Sequence, residues 1–215
     1  PRHPHRERQR VLLTGLLPDI TSDPAIEPAT DSLEVGRSGT IVAPVGIRPP
    51  LLAAVATRAA TPLVVRTATG RDAETLTNAL ASWIPGVAML PAWETLPHER
   101  LSPQVDTMAR RIAVLRRLVH PIAGDESAGP ISVLVVPIRA FLQPIISGLA
   151  DLEPVRVRTG DILDLTEATN RLAEPGYERV DMVEGRGQMS VPGGILDVFP
   201  PHEAPPPPLE LWGAE

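Results

Sequence analysis

Proline sets the limits on what this chain can fold into. Twenty-six of its 215 residues are proline, spread along the length and not gathered in one linker. The ring removes a backbone donor and fixes φ, so it closes helix interiors and inner strands. Many short elements with firm stops are expected. The hydrophobic share of 43% still suffices for one large domain or two small ones with a sizeable core.

Between the prolines the pattern alternates in type. TIVAP at 40–44 reads as a buried strand running into a turn. IRPPLLAAVATRAA follows as a helix, with Pro50 near its first turn and Leu51, Leu52, Val55 and Ala59 on one face. Pro62–Arg66 is a second strand, TGRDAETLTNALASWI a helix with Leu76, Leu80 and Trp83 inside, and Gly86–Leu90 a third strand. Ser102 and Pro103 open a helix as N-cap and first position. Its apolar stripe is Val105, Met108, Ile112, Leu115 and Val119, which Arg110, Arg111, Arg116 and Arg117 mostly avoid. ISVLVVP at 131–137 is unbroken apolar, as a central parallel strand should be, and IRAFLQPIIS begins a short helix. Strand and helix in alternation predict an α/β fold: a parallel sheet with helices packed on its faces.

The pattern changes near Leu152. PVRVRTG alternates, DLTEATNRLAEPG is a helix that breaks at Pro175-Gly176, and the rest reads as short antiparallel strands. Residues 1–10 are expected to be a disordered tail, 11–150 an α/β domain that opens with a short helix or two, and 151–215 a small α+β domain. The second domain reads as cut off, incomplete at its C-terminal end.

Much chemistry is excluded. There is no cysteine, so disulfides and thiolate-bound zinc are out. No apolar run is long enough to span a bilayer and no secretory signal is present, so a cytoplasmic protein is expected. The net charge of −6 argues against broad binding to phosphate backbones, and an aromatic content of 3% against a base-stacking surface. A nucleotide-binding α/β domain carries closely spaced glycines, a lysine and a Ser/Thr at its first strand-to-helix turn. Here that turn reads APVGIRPPLL: Gly46 is alone, Arg48 precedes two prolines, and the whole chain has no lysine. None of His3, His5, His98, His120 and His202 has zinc-ligand spacing on a helix. Glu94 and Glu99 in AWETLPHER are candidate carboxylates, more simply read as solvating a loop or capping the next helix. The four arginines of helix 103–119 could touch phosphate or form an outer face with a few ion pairs. No catalytic, cofactor or metal residue is expected.

Two stretches are specific. LPAWETLPHERLSPQVDTMARRIAVLRRL and GYERVDMVEGRGQMSVPGGILDVFPP together resemble the N-terminal module of bacterial transcription-repair coupling factors (Mfd), itself similar to the first domains of the excision-repair helicase UvrB. LLPDITSDPAI and APVGIRPPLLAAVA resemble actinobacterial members. The resemblance implies a RecA-like α/β domain that has lost its ATPase motifs, followed by a UvrB domain 2-like α+β domain. It implies a recruitment module that docks the repair ATPase UvrA at sites of stalled RNA polymerase. RNA polymerase, duplex DNA, ATP and magnesium would belong to other domains of a parent translocase. The alternatives are an NTP-dependent nucleic-acid helicase or translocase domain of UvrB type, or a decayed fragment.

The resemblance also suggests a docking surface: Met189, Pro192, Gly193, Pro208, Glu210 and Trp212, with Trp212 as aromatic anchor. Two arginines that the family commonly carries there fall on Pro192 and Pro208, which removes two cations able to grip carboxylates bidentately and should weaken UvrA binding. Gly185, Gly187, Gly193 and Gly194 are expected first of all to build the sheet, by turning hairpins and bending strands, and the sheet then displays the surface; Gly193 and Asp197 could equally hold strand geometry.

Overall fold

The computed structural model describes residues 12–24, 26–27, 39–95, 104–125, 127–152, 164–174, 176–184, 187–191 and 196–199. Contacts divide the chain into two compact units, one of residues 1–90 and 123–142, the other of 91–122 and 143–215. The division expected near residue 150 follows chain order. The contact division instead groups the helix at 105–119 with the later residues, for reasons visible in its hydrogen bonds below.

The first unit is built on a three-stranded parallel sheet. Its strands are β1 (Leu63–Thr67), β2 (Val87–Met89) and β3 (Val133–Pro137), in the order β1-β3-β2. β3 pairs on both sides, Leu63↔Val133 to Thr67↔Pro137 with β1 and Val87↔Val133 to Met89↔Val135 with β2. All five of its residues are buried, which is why its sequence is apolar without alternation. β1 alternates: Leu63 and Val65 pack against the core, while Val64 and Arg66 are exposed.

Helices α1 (Leu17–Thr21), α2 (Arg48–Arg58) and α3 (Gly70–Leu80) bury small residues against that sheet. The core joins Leu17, Ala53, Ala54, Ala56, Ala73, Leu80 and Ile84 to Val133 and Val135, with Leu76 and Trp83 packed against it. Burying a leucine such as Leu80 is worth about 1.5–3 kcal/mol. α3 starts where its caps dictate. Thr69 Oγ1 accepts from the Asp72 amide at 3.1 Å and donates to Asp72 Oδ2 at 2.8 Å, which satisfies an orphan donor of the first turn. A 3₁₀ turn at Thr14–Leu16 is fastened to the end of α3 by Leu13 N donating to Ser82 O (2.8 Å) and Thr14 Oγ1 donating to Trp83 O (2.7 Å). The short helices expected before residue 37 are thus present at 14–21.

Two expectations give way here. TIVAP is not a buried strand: residues 39–44 carry no regular structure, and Val42 is 96% exposed. β-branched composition favours extension, but a strand also needs a neighbour on its hydrogen-bonding edge, and composition does not report one. In α2 the buried residues are Pro50, Leu51, Ala53, Ala54 and Ala56, not Ala59, which lies at the C-cap and is exposed.

In the second unit, α4 (Val105–Val119) is the longest helix among the described residues. Its cap position is Gln104, without a side-chain cap; Ser102 and Pro103 lie outside the described residues. Arg116 Nη1 donates to Leu152 O at 3.0 Å and His120 Nε2 pairs with Asp151 Oδ1 at 2.7 Å, so α4 is tied to the 3₁₀ turn at Leu149–Asp151. The four-residue helix α5 (Ile138–Phe141) follows β3 directly in the first unit. α6 (Leu165–Ala173) begins at Asp164, whose Oδ1 accepts from the Thr166 and Glu167 amides at 2.7 and 3.0 Å. It ends as expected just before residue 175, and Gly176, at φ +98°, turns the chain back.

Candidate functional site

The turn before α2 offers few amides to a phosphate. Pro44 precedes a 3₁₀ turn at Val45–Ile47, and α2 follows at Arg48. Ile47 N donates to Pro44 O at 3.1 Å and the Arg48 amide donates to Val45 O, so both are consumed within the turn. The next two residues, Pro49 and Pro50, have no amide hydrogen to offer. Among the described residues no group of His, Asp and Glu could hold a metal ion, and no helix is long and apolar enough to cross a membrane.

The more informative surface is the small sheet of the second unit. Strands β4 (Glu178–Arg179), β5 (Gln188–Ser190) and β6 (Asp197–Val198) lie in the order β4-β5-β6. β5 and β6 are antiparallel, as expected, with Ser190 opposite Asp197. β4 and β5 are parallel, which the sequence reading did not anticipate. Ser190 Oγ donates to Asp181 O at 2.9 Å, and the Glu184 amide donates to Gln188 Oε1 at 3.0 Å, so β5 side chains hold the connection between them in place.

Gly187 shows why a glycine stands beside the strand. It is buried and has φ +76°, a backbone conformation that other residues adopt only at a cost. Its amide donates to Phe199 O (2.8 Å) and its carbonyl accepts from Glu178 N (2.8 Å), so one residue joins β4, β5 and the end of β6. Gly185, Gly193 and Gly194 lie outside the described residues.

Of the six residues expected on the docking surface, Met189 alone is described; Pro192, Gly193, Pro208, Glu210 and Trp212 lie outside the described residues. Met189 is 1% exposed. It sits in the core beneath the sheet with Ala168, Leu172 and Leu196, and Tyr177, Val191 and Val198 pack around them. Alternation along a strand sends neighbouring side chains to opposite faces. Met189 therefore supports the sheet from below and presents nothing to a partner.

The arginines of α4 also separate. Arg110 is on the surface, 3.8 Å from Asp106 one turn back. Arg116 binds Leu152, as described. Arg111 is wholly buried, contrary to the expected polar face, while Val119 of the expected stripe is 56% exposed. The buried stripe is Thr107, Arg111, Val114 and Leu115. Arg111 Nη1 donates to Pro91 O at 2.6 Å, its guanidinium lies 4.5 Å from the centre of the Trp93 ring, and its Nε has no hydrogen-bond partner among the described residues. Burial pushes its pKa down from the ordinary arginine value. Periodicity counts arginine as polar and so missed this. The available signal was the cluster of Pro91 and Trp93 a short distance upstream, a carbonyl and a ring suited to a guanidinium. Glu94, the tempting carboxylate, accepts a hydrogen bond from Thr107 Oγ1, a bond between loop and helix; Glu99 lies outside the described residues.

Comparison with known proteins bears on both units. The UvrB interaction domain family matches residues 155–215. Transcription-repair-coupling factors of Mycobacterium tuberculosis and Mycobacterium bovis are each 46% identical over 178 residues, 82% of this chain and 14% of theirs. The Myxococcus xanthus transcription-repair-coupling factor is 34% identical over 131 residues, 60% of this chain and 10% of its own length. UvrABC system protein B of Vibrio vulnificus is 42% identical over 60 residues, 26% of this chain and 9% of its own length. The chain thus spans about one seventh of its mycobacterial relatives. With its parallel α/β sheet and small mixed sheet, the chain belongs to the transcription-repair-coupling factor family, of actinobacterial type, and carries a UvrB interaction domain.

Proposed function

We propose that this chain is a non-catalytic recruitment module that docks UvrA, and so brings nucleotide excision repair to stalled RNA polymerase in the cytoplasm. The observation that carries the reading is the family match over 155–215, the span that contains the β4-β5-β6 sheet. The turn before α2 supports the absence of catalysis, because the Ile47 and Arg48 amides are consumed within it and the next two positions are proline. Contacts to RNA polymerase and duplex DNA, and ATP-driven motion with magnesium, fall to parts of a longer parent. The UvrA surface comprises Pro192, Gly193, Pro208, Glu210 and Trp212, with Met189 as support beneath.

Titration of UvrA onto the full chain tests this. Saturable binding without ATP hydrolysis is the expected result, and absence of binding refutes it. Restoring arginine at Pro192 and Pro208 together should tighten binding at least tenfold, since a docking arginine at a hot spot is worth about 2 kcal/mol or more. Unchanged affinity would mean that these two positions do not touch UvrA. Saturable ATP binding abolished by substitutions around Gly46 would favour the NTP-dependent alternative instead.

A further inference from the structure

Helix α4 is gripped along one face by the segment that precedes it. Arg111 binds the Pro91 carbonyl at 2.6 Å and lies under the Trp93 ring, while Thr107, one turn earlier, donates its hydroxyl to Glu94. Gln143 pins the same segment through the Trp93 backbone: its Oε1 accepts from the amide at 2.9 Å and its Nε2 donates to the carbonyl at 3.4 Å. A planar guanidinium that must meet a carbonyl and a ring at once tolerates little rotation of the helix carrying it. The Arg111 cluster therefore sets the rotation of α4 about its own axis.

The same turn of α4 touches the small sheet domain. Met108 lies three residues before Arg111, and a Cβ added at Gly176 would sit 2.2 Å from Met108 Cε. Gly176 opens the turn that delivers β4. Its amide donates to Ala173 O, Tyr177 N donates to Leu172 O, and then Glu178 N and Val180 N donate to Gly187 O and Met189 O of the β5 strand region. Any rotation of α4 drives Met108 into this turn or withdraws it.

We propose that Arg111 is a positioning residue for the docking sheet: it fixes α4 through Pro91 and Trp93, and α4 fixes the entry of β4 through the Met108–Gly176 contact. The proposal rests on the reading of the sheet as the UvrA-docking surface.

The test uses the full chain and amide hydrogen exchange at Glu178 and Val180, with the amides of β3 as reference. Arg111→Met replaces a buried charge, which has no acidic partner among the described residues, by an apolar chain of similar reach; apolar replacement of buried charges is often neutral when the new side chain packs well. It should speed exchange at Glu178 and Val180 on the order of tenfold while β3 stays unchanged. Met108→Ala leaves Arg111 in place, cuts the same link further along and should give the same signature; if Arg111→Met fails to fold, Met108→Ala decides alone. UvrA affinity should fall in parallel in both variants. Exchange that is unchanged at Glu178 and Val180, or that accelerates equally in β3, overturns the proposal. If the unmodified chain does not bind UvrA, the docking reading falls, and the exchange measurement still decides whether Arg111 positions β4.

Discussion

Gly86 offers a sharp test of how the first sheet is closed. It has φ +73°, and an added Cβ would lie 2.8 Å from Pro130 O, 2.8 Å from Ser132 Oγ and 3.0 Å from Ser132 N. Two of these three atoms are backbone and cannot swing aside. The backbone of Gly86 is itself committed, because its carbonyl accepts from Ser132 N (2.8 Å) and Val133 N (3.3 Å) at the start of β3. Gly86→Ala thus incurs two costs: about 1–2 kcal/mol for the left-handed conformation and about 1–3 kcal/mol for overpacking against fixed atoms. Gly124→Ala isolates the first, since Gly124 has φ +82° and nothing within 4 Å of an added Cβ. Thermal unfolding followed by circular dichroism should place Gly86→Ala below Gly124→Ala by about 2 kcal/mol, or roughly 10 °C for a unit of about 100 residues. Equal melting temperatures for the two variants would refute the idea that the approach of β2 to β3 at Gly86 is sterically closed.

Further outcomes can be checked by the same unfolding measurement. Thr69→Ala removes the cap of α3 and should cost about 1 kcal/mol, as should Asp164→Ala at α6. Leu80→Ala hollows the first core and should cost about 2–5 kcal/mol. Leu172→Ala should do the same to the core beneath the small sheet, with the loss read at the Val180 amide by hydrogen exchange. Gly176→Ala should incur the conformational penalty of about 1–2 kcal/mol and, because the added Cβ meets the end of Met108, should also speed exchange at Glu178.

Strands β1, β2 and β3 were legible because each is a short, largely apolar run bounded by proline or glycine, and α3 because Leu76, Leu80 and Trp83 recur at helical spacing. The stop of α6 was legible from Pro175-Gly176. What failed depends on partners distant in sequence. TIVAP has strand composition but no paired edge, and edges are supplied by other segments. Polarity alone puts Arg111 in solvent, whereas its environment is made by Pro91, twenty residues earlier. The same blindness placed Met189 on the docking surface: the face of a three-residue strand is decided by what lies beneath it, here Ala168 and Leu172. The parallel pairing of β4 with β5 was likewise hidden, because strands of two and three residues carry no signal of their relative direction.

The strand order β1-β3-β2 has a consequence for synthesis on the ribosome. Leu63 and its partner Val133 are 70 residues apart (133 − 63). At about 5–20 residues per second, β1 waits roughly 4–14 s for the strand that will lie between it and β2. Once Met89 has been added, and until β3 follows, the nascent chain holds two outer strands without their centre, and Leu63, Val65, Val87 and Met89 have no sheet to close on. A newborn polypeptide of this design presents chaperones with an apolar target until residue 137 has emerged.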